Sequence, residues 1–164
     1  PPGTGKGLQL EFWDQSKPGW DKQEPALVRL TDVNESWGQG PAAGGPDGFR
    51  ILGGGRVARV TGEIEAYQTG WHAFQSGEGN YHYPPKTTYR IAGVELGRYS
   101  YNEVFMEAGK RYPVEILYDA AMTHPTTDQG IRLKWATPRG TWPGAFTPIP
   151  VSQLHAPVKR SAEE

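Results

Sequence analysis

The residues best suited to ligand chemistry fall in two stretches that read as loops. The first, Ser76 to Thr88, runs Ser-Gly-Glu-Gly-Asn-Tyr-His-Tyr-Pro-Pro-Lys-Thr-Thr. Tyr81, His82 and Tyr83 stand just ahead of a Pro-Pro pair that stiffens the chain. Aromatic rings held on a rigid loop suit stacking on the C–H face of a pyranose or on another apolar ligand, because they offer area and lose little side-chain entropy. Glu78 and Asn80 add oxygen donors. The alternative is that Tyr81 and Tyr83 fold back and close one end of a core, and both readings stand on the sequence. The second stretch, Asp119 to Gly130, carries Asp119, His124 and Asp128. Its two aspartates offer carboxylates to a metal or acceptors to ligand hydroxyls; equally, Asp side chains cap turns.

Other chemistries find no support. His72, His82 and His124 lack the local spacing of a zinc ligand pair, and cysteine is absent, which excludes a disulfide scaffold, a thiolate metal site and a thiol nucleophile. No nucleophile elbow, His-Glu-x-x-His or dinucleotide fingerprint occurs. Pro1 to Gly7 nearly spells a phosphate-binding loop, but no strand precedes it and Gly7 replaces the hydroxyl residue that would hold magnesium. It reads as a flexible lead-in to a first strand. A glycosidase carboxylate pair cannot be read from spacing, and Glu63, Glu65, Glu95 and Glu115 fall on the outward side of strands. The chain is therefore expected to be non-catalytic.

The elements that position these loops follow a period of two. Leu8, Leu10 and Phe12 share one side of an extended chain, as do Val60, Gly62, Ile64 and Ala66, and again Tyr112, Val114, Ile116 and Tyr118. Each run ends at Gly, Asn or Pro, so neighbours are predicted to pair antiparallel through short turns. The spacing predicts a turn at Pro18-Gly19-Trp20, a short apolar run from Ala26 to Leu30, a glycine-rich loop from Ser36 to Gly48 gripped by Trp37, and a short strand from Phe49 to Leu52. Asn34-Glu35-Ser36 fits a glycosylation acceptor by chance. Beyond Trp135 the proline-rich chain to Pro150 is expected to lie as a strap on the core, with Ile149, Val151 and Leu154 in a closing strand. The fold class is all-β: an antiparallel, jelly-roll-like β-sandwich with long loops.

Four segments, in order, resemble the protective-antigen fourteen-kilodalton domain, the PA-fourteen family. They are Thr69-Gly70-Trp71 after a strand, the hairpin Arg90-Ile91-Ala92-Gly93-Val94-Glu95-Leu96, Glu107-Ala108-Gly109-Lys110-Arg111-Tyr112-Pro113, and Gly130 to Trp135 at the last core strand. The resemblance spans Gly7 to Pro138. It implies a β-sandwich of the kind found in bacterial toxins, adhesins and glycosidases, with two binding loops at one end: Ser76–Thr88 and Asp119–Gly130. In sugar-binding members the first of these holds two adjacent aspartates, joined by a cis peptide, that ligate calcium, which in turn holds glycan hydroxyls. Here no two acidic residues are adjacent between Gly62 and Ile131. Calcium takes about 6–8 oxygen ligands, and the first loop supplies one carboxylate, Glu78. No cofactor is therefore expected; were calcium bound, Asp119 and Asp128 would be its ligands.

Length and charge agree. A chain of 164 residues with 12% aromatics can bury one sizeable core, and 22 glycines with 15 prolines punctuate short strands rather than signal disorder. A net charge of −1 offers no footprint for nucleic acid. No apolar run is long enough for a membrane helix, so no membrane insertion is expected. The expectation is one PA-fourteen-like domain over residues 1–157 with a disordered tail at 158–164. It is read as an accessory module of a longer secreted or cell-surface bacterial protein, a glycoside-active enzyme or an adhesin. Its partners would be a glycan or polysaccharide and other domains of the same chain. The alternative is a structural or protein-interaction module that has lost sugar binding.

Overall fold

The computed structural model describes residues 5–39, 44–76, 86–96, 102–120, 128–140 and 142–157. Among these the chain forms an antiparallel β-sandwich. The first sheet joins β1 (Leu8–Phe12), β2 (Leu27–Thr31), β4 (Gly55–Glu65), β6 (Lys86–Ile91), β7 (Val94–Glu95) and β9 (Arg111–Ala120) in the order β2-β1-β4-β9-β6-β7. The short β14 (Leu154–His155) pairs with β4 beyond the end of β1. In the second sheet β10 (Asp128–Ala136) lies beside β5 (Gly70–Ser76), which pairs with β8 (Asn102–Met106). The other edge of β10 takes β3 (Asn34–Gln39) and β13 (Thr147–Pro148). A small ladder of β11 (Pro138–Arg139) and β12 (Trp142–Pro143) completes the strap.

The alternation read from the sequence is the alternation of burial. Leu8, Leu10 and Phe12 are fully buried, as are Val60, Ile64, Ile116 and Tyr118, while Glu11, Arg59, Thr61 and Glu115 face outward. Removing such side chains from water is the main source of stability. From the second sheet, Phe74, Met106, Ile131, Leu133 and Trp135 fill the other half of the core. The hairpin between β6 and β7 turns at Ala92 and Gly93, both at positive φ (51° and 81°), the pair of left-handed conformations that a two-residue hairpin turn requires.

Four expectations need correction. The glycine-rich segment from Ser36 is not a loop throughout: β3 continues to Gln39, and its ladder with β10 shifts register so that Ser36 faces Gly130 and Gly38 faces Gln129. Trp37, left between them, is the extra residue of a β-bulge. The bulge turns its ring into the core, edge-on to Tyr118 at 5.1 Å and Phe12 at 6.0 Å. Phe49 to Leu52 forms no strand; a 3-10 turn at Pro46–Gly48 leads into extended chain that buries Ile51. The closing segment is a 3-10 turn at Val151–Gln153 followed by β14, with Ile149 and Leu154 buried but Val151 outside. Finally, the lead-in is tied down: the Gly5 amide donates to His155 Nδ1 at 2.9 Å and the Gly7 amide to the Leu154 carbonyl at 3.2 Å.

Candidate functional site

Four strands set the end of the sandwich from which both candidate loops depart. β5 ends at Ser76 in the second sheet and β6 begins at Lys86 in the first; β9 ends at Ala120 in the first and β10 begins at Asp128 in the second. The segments 77–85 and 121–127 therefore each connect one sheet to the other. Lys86 pairs with Asp119, Gly55 with Ala120, and Asp128 with Gln39, so these strand ends lie at one end of the fold.

Two tyrosines bolt the sheets together directly beneath them. The Tyr118 hydroxyl on β9 donates to Gln129 Oε1 on β10 and accepts from the Gly130 amide at 3.3 Å. The Tyr89 hydroxyl on β6 donates to the Arg132 carbonyl at 3.1 Å and accepts from the Arg132 amide at 3.3 Å. Gln129 is fully buried. Inter-sheet hydrogen bonds of this kind fix the separation of the strand ends, and with it the span the loops must bridge. Among the described residues, the same region holds buried polar atoms without a hydrogen bond: Ser76 Oγ, Thr87 Oγ1, and Arg132 Nε and Nη2. Such atoms are costly where nothing satisfies them.

Of the residues singled out by sequence, Glu78, Asn80, Tyr81, His82, Tyr83 and His124 lie outside the described residues, as does the tail at 158–164. Asp128 opens β10, with its backbone alone described. Asp119 is not in a loop but on β9, where its carboxylate takes Arg56 Nε at 2.8 Å. A carboxylate already facing a guanidinium is a poor start for a calcium site, and the described donors do not fit the ion. Among the described residues no group of three or more His, Asp or Glu could hold a metal. His72, one of the three histidines considered for zinc, is buried on β5 and donates from Nδ1 to the Gly70 carbonyl at 3.1 Å.

Three features escaped sequence reasoning. Glu35 gathers bonds from Arg29, Thr31 and Trp37, and Arg29 also holds Asp47 at 2.7 Å. Burial alone would raise the Glu35 carboxyl, but these donors hold it below its ordinary value. Trp71 and Phe105 face each other across β5 and β8, ring centres 5.5 Å apart and edge to face, with 47% and 49% of their surface exposed. A groove of about 550 Å³ on the outer face of the first sheet is bordered by Thr61, Glu63, Arg90, Val114 and Glu115. Arg90 there is shared between Glu95 and Glu115, each at 3.4 Å. Outward alternation announces Trp71 and Phe105, since both fall opposite to buried neighbours; the other two features depend on tertiary register.

No protein-family model matches the chain, and no curated protein does. Solved structures do. An anti-sigma factor domain-containing protein superposes over 96% of this chain with a TM-score of 0.66 at 20% identity. The chain spans only half of that relative, 50% of its length. The PA14 domain of an antifreeze protein matches 92% of this chain, and 90% of its own, with a TM-score of 0.58 at 12% identity. The A domain of epithelial adhesin 6 from Candida glabrata, solved in complex with Galβ1-3GlcNAc, matches 96% and 89% with a TM-score of 0.57 at 13% identity. At these identities the likeness is one of fold: the chain has a PA14-like β-sandwich.

Proposed function

We propose that this chain is a non-catalytic carbohydrate-recognition module of the PA-fourteen type, spanning residues 1–157 of a secreted or cell-surface bacterial protein. The glycan is held at the loop end by Tyr81, His82 and Tyr83, with Glu78, Asn80, His124 and Asp128 supplying polar contacts. The observation that carries this reading is the pair of tyrosine bolts, Tyr118 to Gln129 and Tyr89 to Arg132, which hold the bases of two inter-sheet loops together. A sugar-bound adhesin domain shares the fold and lends support. Recognition proceeds by stacking and hydrogen bonding rather than through calcium, because Asp119 is engaged by Arg56. Isothermal titration against plant, algal and host glycans, with calcium and again with chelator, tests it. Binding that survives the chelator and weakens about tenfold or more in Tyr81→Ala/Tyr83→Ala is expected, given about 1–3 kcal/mol for a buried aromatic contact. Binding abolished by chelator would replace stacking with a metal mechanism.

A second reading, a module that binds protein and not sugar, is favoured by the half-exposed Trp71–Phe105 pair. Its occupant would be another domain of the same polypeptide. Silence toward every glycan in both buffers would favour it.

A further inference from the structure

His155 and Gly5 are 150 positions apart and meet inside the fold. The Gly5 amide donates to His155 Nδ1 at 2.9 Å. A ring nitrogen that accepts a hydrogen bond carries no proton, so the neutral ring holds its proton on Nε2. That Nε2 stands 3.3 Å from Glu65 Oε1, within ion-pair range but without hydrogen-bond alignment. Arg111 reaches the same oxygen at 3.3 Å, and Glu63 pairs with His155 in the β4–β14 ladder. The imidazole is 3% exposed. Around it the chain ends are stitched together: Gly7 bridges to His155 in parallel, the Gly7 amide donates to the Leu154 carbonyl, and Gln153 Nε2 donates to the Glu65 carbonyl at 2.7 Å.

We propose that His155 is an acid-operated clasp on the segment Gly5–Gly7. A proton taken from solvent at Nδ1 converts the acceptor into a donor and sets two N–H groups against each other in a buried site. The Gly5 bond is lost, and the segment leading into β1 detaches from β14. The charges around the ring decide where this happens. Burial and then Arg111 disfavour the imidazolium, while Glu65 and Glu63 favour it; the net effect holds the ring below its ordinary value. The closed clasp thus stays neutral while the opened one, hydrated, titrates near pH 6.5. As pH falls through that value the opened state binds the proton first, so the clasp loosens on the acid side and is intact at neutral pH.

Hydrogen–deuterium exchange resolved at Gly5 and Gly7 tests this between about pH 7.5 and about pH 4.5, with rates expressed as protection factors. Protection at both amides is expected to fall about tenfold or more across that range, while staying below that of the central strand β9 at every pH, as a local opening requires. His155→Asn places a non-titrating oxygen near Nδ1, and its protection should be flat with pH. His72→Phe should retain the wild-type step, since His72 lies on the other sheet. Constant protection down to the acid limit, or the same step in His155→Asn, overturns the proposal. Nitrogen-15 NMR of the unaltered protein supplies a second check should His155→Asn not fold. Its Nε2–H tautomer at neutral pH and a His155 titration coincident with the Gly5 amide shift are expected; a titration that leaves Gly5 unmoved also overturns it.

Discussion

Arg56 and Asp119 stand directly opposite each other in the β4–β9 ladder and join through two contacts, Nε to Oδ1 at 2.8 Å and Nη2 to Oδ2 at 3.4 Å. The aspartate that sequence offers as a ligand is thereby a cross-strand partner at the base of the loop end. The arginine is half exposed and the aspartate partly so, which makes the pair a solvent-screened one. Asp119→Asn is expected to lower stability by less than about 1 kcal/mol, because exposed pairs of this sort contribute little. Urea unfolding measures the first effect. Glycan titration measures the second: affinity should stay within about twofold, or about 0.4 kcal/mol, and a collapse would return Asp119 to the binding residues.

The tyrosine bolts predict a larger effect from a smaller change. Tyr118→Phe keeps the ring in the core and removes the hydroxyl that serves both Gln129 and the Gly130 amide. Buried groups that lose a partner cost about 1–3 kcal/mol. Denaturant midpoints should fall accordingly, and glycan affinity should fall too, because the loop bases lose their fixed separation. Loss of stability without loss of affinity would confine the bolt to the core.

Sequence exposed the sandwich wherever burial follows a strict period of two. β1, the second half of β4, and β9 are legible because Leu10, Ile64 and Ile116 alternate with outward polar residues. The β6–β7 hairpin is legible because Gly93 marks its turn. Burial departs from that pattern where the period is broken. At Trp37 a bulge adds one residue, and surrounding glycines imitate a loop; at Val57 and Ala58 a second register shift buries two neighbours in a row. The candidates Tyr81, His82 and Tyr83 lie outside the described residues, and what fixes the base of the loop end was not readable. Tyr118 and Gln129 look like ordinary strand residues, and only the packing of two sheets puts a hydroxyl against an amide. The tie from Gly5 to His155 spans nearly the whole chain and leaves no local trace.

Gly62 offers a test of how tightly that tie is packed. It sits at φ 149°, and a Cβ there would meet the His155 carbonyl oxygen at 2.3 Å and a Leu8 methyl at 2.7 Å. The backbone conformation disfavours a side chain, and the nearer obstacle is backbone that cannot rotate away. Gly62→Ala is expected to destabilise by about 2–4 kcal/mol, combining strain with overpacking. Gly109→Ala provides the contrast: its φ of 80° is strained too, but nothing lies within 4 Å of the added methyl. Its cost should be about 1 kcal/mol from backbone strain alone. Equal losses for the two would show that the approach of β14 to β4 is not close.

The last prediction concerns acid and the second buried histidine. His72 donates from Nδ1 to the Gly70 carbonyl, while its Nε2 is buried with no hydrogen-bond partner among the described residues and its ring lies 5.6 Å from that of Trp135. Burial depresses its proton affinity, and the Gly70 carbonyl only partly offsets this. In the folded protein the ring therefore stays neutral at pH values where the unfolded chain, with an ordinary value near 6.5, is already charged. Above about pH 6.5 both states are neutral and the contribution to stability is complete. As pH falls below that, the unfolded state takes up the proton first and stability declines until the folded pKa is reached. His155 titrates with the same sign. Unfolding midpoints in urea should accordingly decrease from pH 7 toward about pH 5, on a limb to which His72 and His155 both contribute and carboxylates, which titrate about two units lower, do not. His72→Phe fills a similar volume and cannot titrate, so its limb should be shallower than that of the unaltered protein. In His72→Phe/His155→Asn it should be nearly level above about pH 5. A double variant that keeps the full acid slope would place the titrating groups elsewhere, with His82 and His124 next in line, because the Glu35 carboxyl, held below its ordinary value, loses its contribution only at lower pH.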